Sequence, residues 1–236
     1  MATQKTVNTR PAPMLSSETA AASKPIVRKY GIRFAKEGMA RFLSHHDLLR
    51  FWERAVRKSG LPVRYSEGYN PRPRLVFPHP LGLGIASRCE EVEIEFTAAV
   101  SSEEVRTRLA AAVEPLLAIL AVTVLPPRRH GRKAISALYI ARGWSDVARA
   151  AAAAADLWKV SAAEVTRERE GRKQQINIRP SLLEICAAAE TMQFRLRLGE
   201  QDGARPEEIV RWLCAAAGED ENKMEIERQE LVLRHV

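Results

Sequence analysis

The sequence predicts an α+β fold built from two tandem ferredoxin-like domains, each with the element order βαββαβ and an antiparallel sheet. Runs that alternate apolar and polar residues, typical of half-buried strands, are interspersed with amphipathic helical runs. This order occurs twice along the 236 residues, on either side of a Pro-Pro step and a basic segment. A chain of this length can bury two cores of about 100 residues each.

The first half contains the clearest helix signals. Ser44, followed three residues later by Asp47, forms a capping-box pattern, and Gly60 with Pro62 ends the helix that follows. Val92, Ile94 and Phe96 alternate with acidic residues and predict a strand. The elements predicted here are a strand at 30–34 with a hairpin partner at 41–43, a helix at 45–59, short strands near 62–65 and 74–78, a strand at 89–96, a helix from Ser101 or Ser102 to Val113, and a strand at 118–125.

The second half repeats the order of elements without evident sequence identity. Pro206 favours the first turn of a helix that runs to about Ala217. The other elements predicted here are a strand at 135–142, an Ala-rich helix at 145–159, strands near 160–168 and 174–179, an insertion around 180–191, a strand at 193–198 and a closing strand at 223–234.

These elements divide the chain into four parts. Residues 1–27 are rich in Ala, Ser, Thr and Pro and predict a disordered tail. Residues 28–127 form the N-terminal domain, residues 128–133 a basic linker, and residues 134–236 the C-terminal domain.

The positive charge is concentrated in one segment. The chain carries a formal net charge of +8, and residues 28–80 alone hold twelve Lys or Arg against four Asp or Glu. A chain that is neutral elsewhere and basic in one segment is expected to present that side to a polyanion. Glu91, Glu93 and Glu95 predict a negative strand face that nucleic acid would avoid.

The remaining composition excludes several classes of protein. The three cysteines fit no zinc or iron–sulfur spacing and no secreted disulfide framework, so a cytoplasmic location is expected. No metal site and no membrane span are expected, because neither a His/Cys cluster nor an apolar run of about 20 residues occurs. No Walker loop, HExxH motif or kinase signature is present. The oligomeric state is open.

The helix at 45–59 separates apolar from basic residues. Arg50, Arg54 and Arg57 fall on the arc opposite Leu48 and Trp52. They are candidates for contact with RNA phosphates. The alternative is an ordinary solvated face, in which Glu53 pairs with Arg57 four residues on.

Two histidines open this helix, where unpaired backbone N–H groups favour anions. His45 is a candidate general acid or base, with Ser44 or Tyr65 as a catalytic partner. The alternative for this pair is a capping residue beside a half-buried ring.

A loop at 65–74, with the sequence YSEGYNPRPR, combines aromatic and basic residues on a restricted backbone. Tyr65 and Tyr69 can stack on bases, Arg72 and Arg74 can contact phosphates, and Asn70 can line a pocket. The alternative is a rigid connection whose tyrosines fill the core. Gly82 and Gly84 follow as a GxG pair before a strand, an order typical of close contact between the loop and the histidine-bearing helix rather than of a nucleotide-binding fingerprint.

The segment from Tyr30 to Phe96 resembles the radical-SAM-linked family, a domain of unknown function found alone or appended to cobalamin-binding radical SAM proteins. The resemblance rests on IRFAKEG, FLSHHDLLR, ERA, GLPVRYSEGYNPRPRLVF and PLGLG, and extends faintly to INIRP at 176–180. It implies the signature residues Ser44, His45, Asp47, Arg50, Glu53, Arg54, Ser66, Gly68, Asn70, Pro71 and Pro73. The chain departs from the family pattern at His46, Tyr69 and Arg72.

The resemblance implies a radical SAM partner acting in trans. That partner would carry the iron–sulfur cluster and S-adenosylmethionine, since the chain lacks a CxxxCxxC loop and is expected to bind no cofactor itself. Genes of this family often neighbour a ribonuclease of the E/G type and ribosomal protein genes, which implies a role with RNA.

Three functions therefore stand as hypotheses. The first is an RNA-binding accessory module that presents RNA to the radical SAM enzyme for modification or processing. The second is a metal-independent RNA-processing enzyme that uses His45. The third is a protein–protein scaffold for the radical SAM partner.

Overall fold

A computed structural model of the chain describes residues 28–126, 132–169, 171–199 and 203–235. The tail expected at 1–27 lies outside the described residues, as does the linker expected at 128–133 up to residue 131. Arg132 and Lys133, assigned to that linker from the sequence, instead open a strand. Among the described residues, no helix is both long and apolar enough to cross a membrane.

Four α-helices and ten strands make up the described fold. The helices are α1 His45–Ser59, α2 Ser102–Val113, α3 Val147–Lys159 and α4 Pro206–Ala217. The strands are β1 Arg28–Lys36, β2 Leu75–Val76, β3 Ala86–Phe96, β4 Ala118–Leu125, β5 Arg132–Arg142, β6 Glu164–Arg169, β7 Arg172–Asn177, β8 Leu182–Ala188, β9 Thr191–Arg197 and β10 Glu225–His235.

One large sheet crosses both halves in the order β4-β1-β3-β10-β5-β9-β8, with β2 paired to β3. All pairings in it are antiparallel except the short one between β3 and β10. The predicted α+β class with antiparallel pairing is confirmed. The expectation of a separate sheet in each half was wrong, because Ala86 and Ser87 of β3 pair with Glu227 and Arg228 of β10.

Three predicted details differ from the structure. The strands expected near 160–168 and 174–179 form a hairpin of their own, β6 and β7, outside the large sheet. The segment expected as an insertion at 180–191 instead supplies β8, which forms one edge of that sheet. In the first half, the expected hairpin partner at 41–43 is replaced by a 3-10 helix over Gly38–Phe42.

The large sheet carries two hydrophobic cores, one for each pair of helices. In the first, Trp52 of α1 meets Phe34 of β1 edge-on, with ring centroids 5.1 Å apart. In the second, Tyr139 of β5 stacks on Phe194 of β9 at 5.7 Å. Each such buried side chain stabilises the fold by about 1.5–3 kcal/mol. Each half of the sheet is therefore stabilised by a core of its own.

Candidate nucleic-acid interface

Helix α1 begins where the sequence predicts, because Ser44 caps its first turn through two hydrogen bonds with Asp47. The Ser44 hydroxyl accepts from the Asp47 backbone N–H at 3.2 Å and donates to the Asp47 carboxylate at 2.6 Å. The Ser44 hydrogen bond lowers the pKa of Asp47. At the other end Gly60 adopts φ +63°, a left-handed conformation that ends helices and favours glycine. Helix capping therefore explains why Ser44 and Asp47 occupy these positions.

The outer face of α1 is basic and open. Leu48, Trp52 and Val56 are buried against the first core, whereas Arg50, Arg54 and Arg57 are exposed. None of these three arginines forms an ion pair with a described residue. Glu53, which the sequence offered as a partner for Arg57, lies half-buried and forms no such pair within the described chain.

The segment 64–74 is a tight backbone hairpin fastened to the end of β3. Arg64 N–H donates to Glu95 O at 2.7 Å, and Glu95 N–H donates to Arg74 O at 3.2 Å. Within the hairpin, Ser66 and Arg72 exchange two bonds: Ser66 N–H donates to Arg72 O at 2.8 Å, and Arg72 N–H donates to Ser66 Oγ at 3.0 Å. These hydrogen bonds hold the backbone of the loop in one conformation and so fix where its side chains leave the chain.

The tip of this hairpin projects into solvent. Gly68 has φ +117°, a conformation that side chains rarely adopt. Tyr69 beside it is fully exposed, at 105% of its reference area, and Tyr65 is 37% exposed. An exposed tyrosine ring of this kind contributes nothing to a core, so the alternative in which both tyrosines fill the core does not describe Tyr69.

The remaining loop residues divide by exposure. Arg72 and Arg74 are exposed and form no ion pair with described residues, and Asn70 and Pro71 are also exposed. Pro73 is buried and faces Tyr65 across an isolated bridge. The loop thus presents two further cations next to an open aromatic ring.

Helix α1 contacts the segment that follows β2 through His45. Its ring contacts the Phe77 ring edge-on, with centroids 5.5 Å apart, just after β2. Partial burial lowers the pKa of His45, with smaller contributions from His46 and Lys36. The Ser44 hydroxyl is already bonded to Asp47. The lowered pKa favours the neutral form of His45 at the start of α1.

Acidic residues on the opposite face of the sheet are neutralised. Arg132 donates from Nε to Glu93 at 2.8 Å and also pairs with Glu91. Gly31 makes room for this arginine, because a Cβ there would lie 2.9 Å from Arg132 Nη2. Arg64 pairs with Glu95 at 3.1 Å. The negative strand face expected from the sequence is thus covered by basic side chains.

A buried polar row that the sequence analysis missed crosses the centre of the large sheet. The register pairs Lys36 with Ser87, Ser87 with Arg228, and Arg228 with Tyr139. All four are at most 1% exposed, and the Arg228 guanidinium donates to Glu90. The sequence contained one signal for a buried charge here, the consecutive Glu90 and Glu91 at the start of the strand at 89–96. Neighbouring strand residues face opposite sides of a sheet, so one of the two had to face the covered side.

The loop at 78–85 connects this row to both halves. Gly84, at φ +81°, donates its N–H to Arg41 O at 2.9 Å, just before α1. Leu81 and Ile85 belong to the second core, and a Cβ on Gly82 would lie 3.3 Å from Ile85 Cδ1. The two glycines thus serve a segment that contacts the region of α1 at one end and the second half at the other.

Comparison with known proteins places the chain in a family without assigning it an activity. No curated protein matches it. One family model, described as "Uncharacterized protein conserved in bacteria (DUF2344)", matches residues 29–206, about three quarters of the chain. That span includes α1, the loop at 65–74 and three members of the polar row, Lys36, Ser87 and Tyr139, but not Arg228. The chain belongs to this DUF2344 family of bacterial proteins.

Proposed function

We propose that this protein binds RNA through a basic face, defined as Arg50, Arg54 and Arg57 of α1 together with Arg72 and Arg74 of the loop. The observation that carries the proposal is that these five arginines are all exposed and form no ion pair with a described residue. Arginines elsewhere are commonly paired, as Arg106 is with Glu103 and Arg211 with Glu221. Exposed, unpaired guanidinium groups favour a polyanionic ligand.

The loop favours RNA with unpaired bases. A fully exposed Tyr69 on a fixed hairpin offers a stacking surface, with Tyr65 as a second ring and Asn70 as a hydrogen-bonding group. Base–aromatic stacking contributes about 1–3 kcal/mol for each base. Bases inside a duplex cannot reach such a ring, so single-stranded loops or ends are the expected substrates.

The resemblance to radical-SAM-linked proteins extends the proposal to a partner. In this view the protein presents RNA to a radical SAM enzyme that acts in trans and carries the iron–sulfur cluster and S-adenosylmethionine. The strand orders β4-β1-β3-β2 and β10-β5-β9-β8 support an interpretation of the halves as two ferredoxin-like domains that share one sheet.

Salt dependence tests the RNA proposal. If five arginines each neutralise one phosphate of a single strand, log Kobs falls with log salt with a slope of about −3.5. The affinity for a labelled single-stranded RNA then drops about 100-fold between about 50 and about 200 mM salt. Binding that is absent at low salt, or insensitive to salt, contradicts the proposal.

A second candidate, metal-independent RNA cleavage, rests on His45 at the start of α1, whose pKa is lowered by partial burial. A neutral imidazole can accept a proton from a ribose hydroxyl. Incubation of RNA with the protein and EDTA should then yield fragments, and His45→Ala should abolish them. Intact RNA across a broad set of substrates rejects this candidate and leaves binding alone.

A further inference from the structure

A cavity beside the loop at 78–85 shares no lining residue with the basic face. It is a cleft of about 580 Å³, within the roughly 300–1,000 Å³ of small-molecule sites. Its walls are the loop at 79–83, the end of β9 and the start of α4, and Tyr139 of β5 also lines it. The cleft thus lies where the two halves of the sheet meet.

One wall of this cleft is supported by the hairpin that lies outside the large sheet. Arg167 of β6 donates from Nε to Glu208 at 2.6 Å and from Nη2 to the second Glu208 oxygen at 2.7 Å. It also donates to the Gly203 carbonyl at 2.8 Å. A bidentate pair of this kind fixes both partners in orientation, so the hairpin and the start of α4 form one wall.

The surroundings of the cleft are suited to an anion. Arg197 and Arg205 line it beside Arg167. Helix α4 directs its positive end toward the cleft, and Pro206 occupies the first turn. Arg228, with no exposed area, donates to the carbonyl of His79, which also lines the cleft. Its Nη1 has no hydrogen-bond partner among the described residues.

The cleft also holds an acceptor without a donor. Glu207 lines it, and its Oε2 is buried without a hydrogen-bond partner in the described chain. A buried polar atom left in this state costs about 1–3 kcal/mol. A ligand that offers only negative charge would be repelled by this carboxylate, whereas one that also offers a hydroxyl or amine donor would satisfy it.

We propose that this cleft binds a nucleotide, with its phosphate near Arg205 and the start of α4 and a ribose hydroxyl or base amine donating to Glu207. Apolar contacts from Pro80, Leu81 and Leu198 suit the base. A phosphorylated nucleoside combines the negative charge, the donors and the planar apolar surface that these walls require, and its size fits the volume. This site is separate from the basic face and does not depend on RNA binding there.

Calorimetric titration of the full chain with AMP and GMP tests the proposal, with adenosine and inorganic phosphate as half-ligands. At least one nucleotide should bind, and more tightly than either half-ligand. Arg205→Glu, which reverses a charge, and Leu83→Trp, which fills the mouth, should each weaken binding about tenfold or more. The control Lys173→Glu lies on the β6–β7 hairpin, which also carries Arg167, but outside the cleft. It should leave the affinity within about twofold of that of the unaltered protein.

Three outcomes overturn the proposal, and the third comes from the basic-face variant described last. One is that neither nucleotide binds the unaltered protein. Another is that Arg205→Glu and Leu83→Trp, both shown to be folded by thermal unfolding, bind as the unaltered protein does. The Arg50/Arg54/Arg72/Arg74→Glu variant separates the two sites, since it should keep nucleotide binding. If that variant loses nucleotide binding, the nucleotide occupies the basic face, and the cleft proposal fails while the RNA proposal stands.

Discussion

Arg228 and Glu90 form a buried ion pair that joins β10 to β3 at the point where the two halves of the sheet meet. Arg228 Nε lies 3.1 Å from the Glu90 carboxylate, and the two residues are 0% and 2% exposed. The β3–β10 register covers only two residue pairs. The ion pair therefore adds a buried, specific contact between the halves to the pairs that Arg132 forms with Glu91 and Glu93.

Removal of one partner of this pair should destabilise the protein strongly. Arg228→Met leaves the Glu90 carboxylate buried without its cation and should lower the free energy of unfolding by about 3–5 kcal/mol. Urea denaturation measures this. Arg106→Met, which breaks an exposed pair with Glu103, is the matched control and should cost at most about 1 kcal/mol. Equal effects of the two changes would contradict the structural role given to Arg228.

His79 should make stability depend on pH. Burial, with a smaller contribution from Arg228, lowers the pKa of His79 to about 4. The unfolded state, with an ordinary pKa near 6.5, therefore binds this proton more readily, and stability falls as the pH drops from about 6.5 toward about 4. Between about pH 7.5 and about pH 5 the loss is about 2 kcal/mol.

The contribution of His79 is isolated by a substitution that does not titrate. His79→Gln should flatten this part of the curve of unfolding free energy against pH. Should the variant and the unaltered protein lose stability in parallel over this interval, the half-buried His79 is not the source of the loss.

Gly31 should resist replacement by alanine, although alanine is normally the better strand residue. An added Cβ lies 2.9 Å from Arg132 Nη2, and that guanidinium is held by Glu91 and Glu93. Gly31→Ala should therefore cost about 1–3 kcal/mol of unfolding free energy. In a double-mutant cycle, most of this cost should disappear when Arg132→Gln is already present. Additive effects would show that the two residues do not interact.

Ser44 should act as a helix cap rather than as a catalyst. Ser44→Ala should lower the unfolding free energy by about 1 kcal/mol, whereas Ser44→Asn, which can still cap, should lower it much less. Both variants should bind RNA like the unaltered protein at temperatures where they are folded. Loss of RNA binding or of RNA cleavage in Ser44→Asn, with stability retained, would assign the hydroxyl a functional role instead.

Most helices and several strands could be predicted from the sequence, because caps and apolar runs depend only on residues that are close together in the chain. The Ser44 cap and Pro206 define where α1 and α4 begin, and the uncharged run at 118–125 is β4 as expected. β8 was assigned to an insertion because its sequence, LLEICAA, lacks the alternation of its neighbours. Its place depends on pairing with β9, and pairing partners are not encoded in the composition of one strand.

The buried polar row could not be predicted for a related reason. Lysine and arginine are almost never fully buried, so Lys36 and Arg228 read as surface residues in any local pattern. Only the register of β1, β3, β10 and β5 brings them side by side. The exposed arginines of α1, by contrast, follow directly from its amphipathic pattern, because a helix that buries one face must expose the other.

The most direct test of the central claim compares RNA binding by three proteins at low salt. One is unaltered, one carries Arg50, Arg54, Arg72 and Arg74→Glu, and the control carries Arg172, Lys173, Lys223 and Arg234→Glu, four exposed cations of the second half. Both variants change the net charge equally, so only the location differs. The account predicts that total cellular RNA is retained by the unaltered protein and by the control but not by the basic-face variant. Equal retention by all three, or equal loss in both variants, would contradict it.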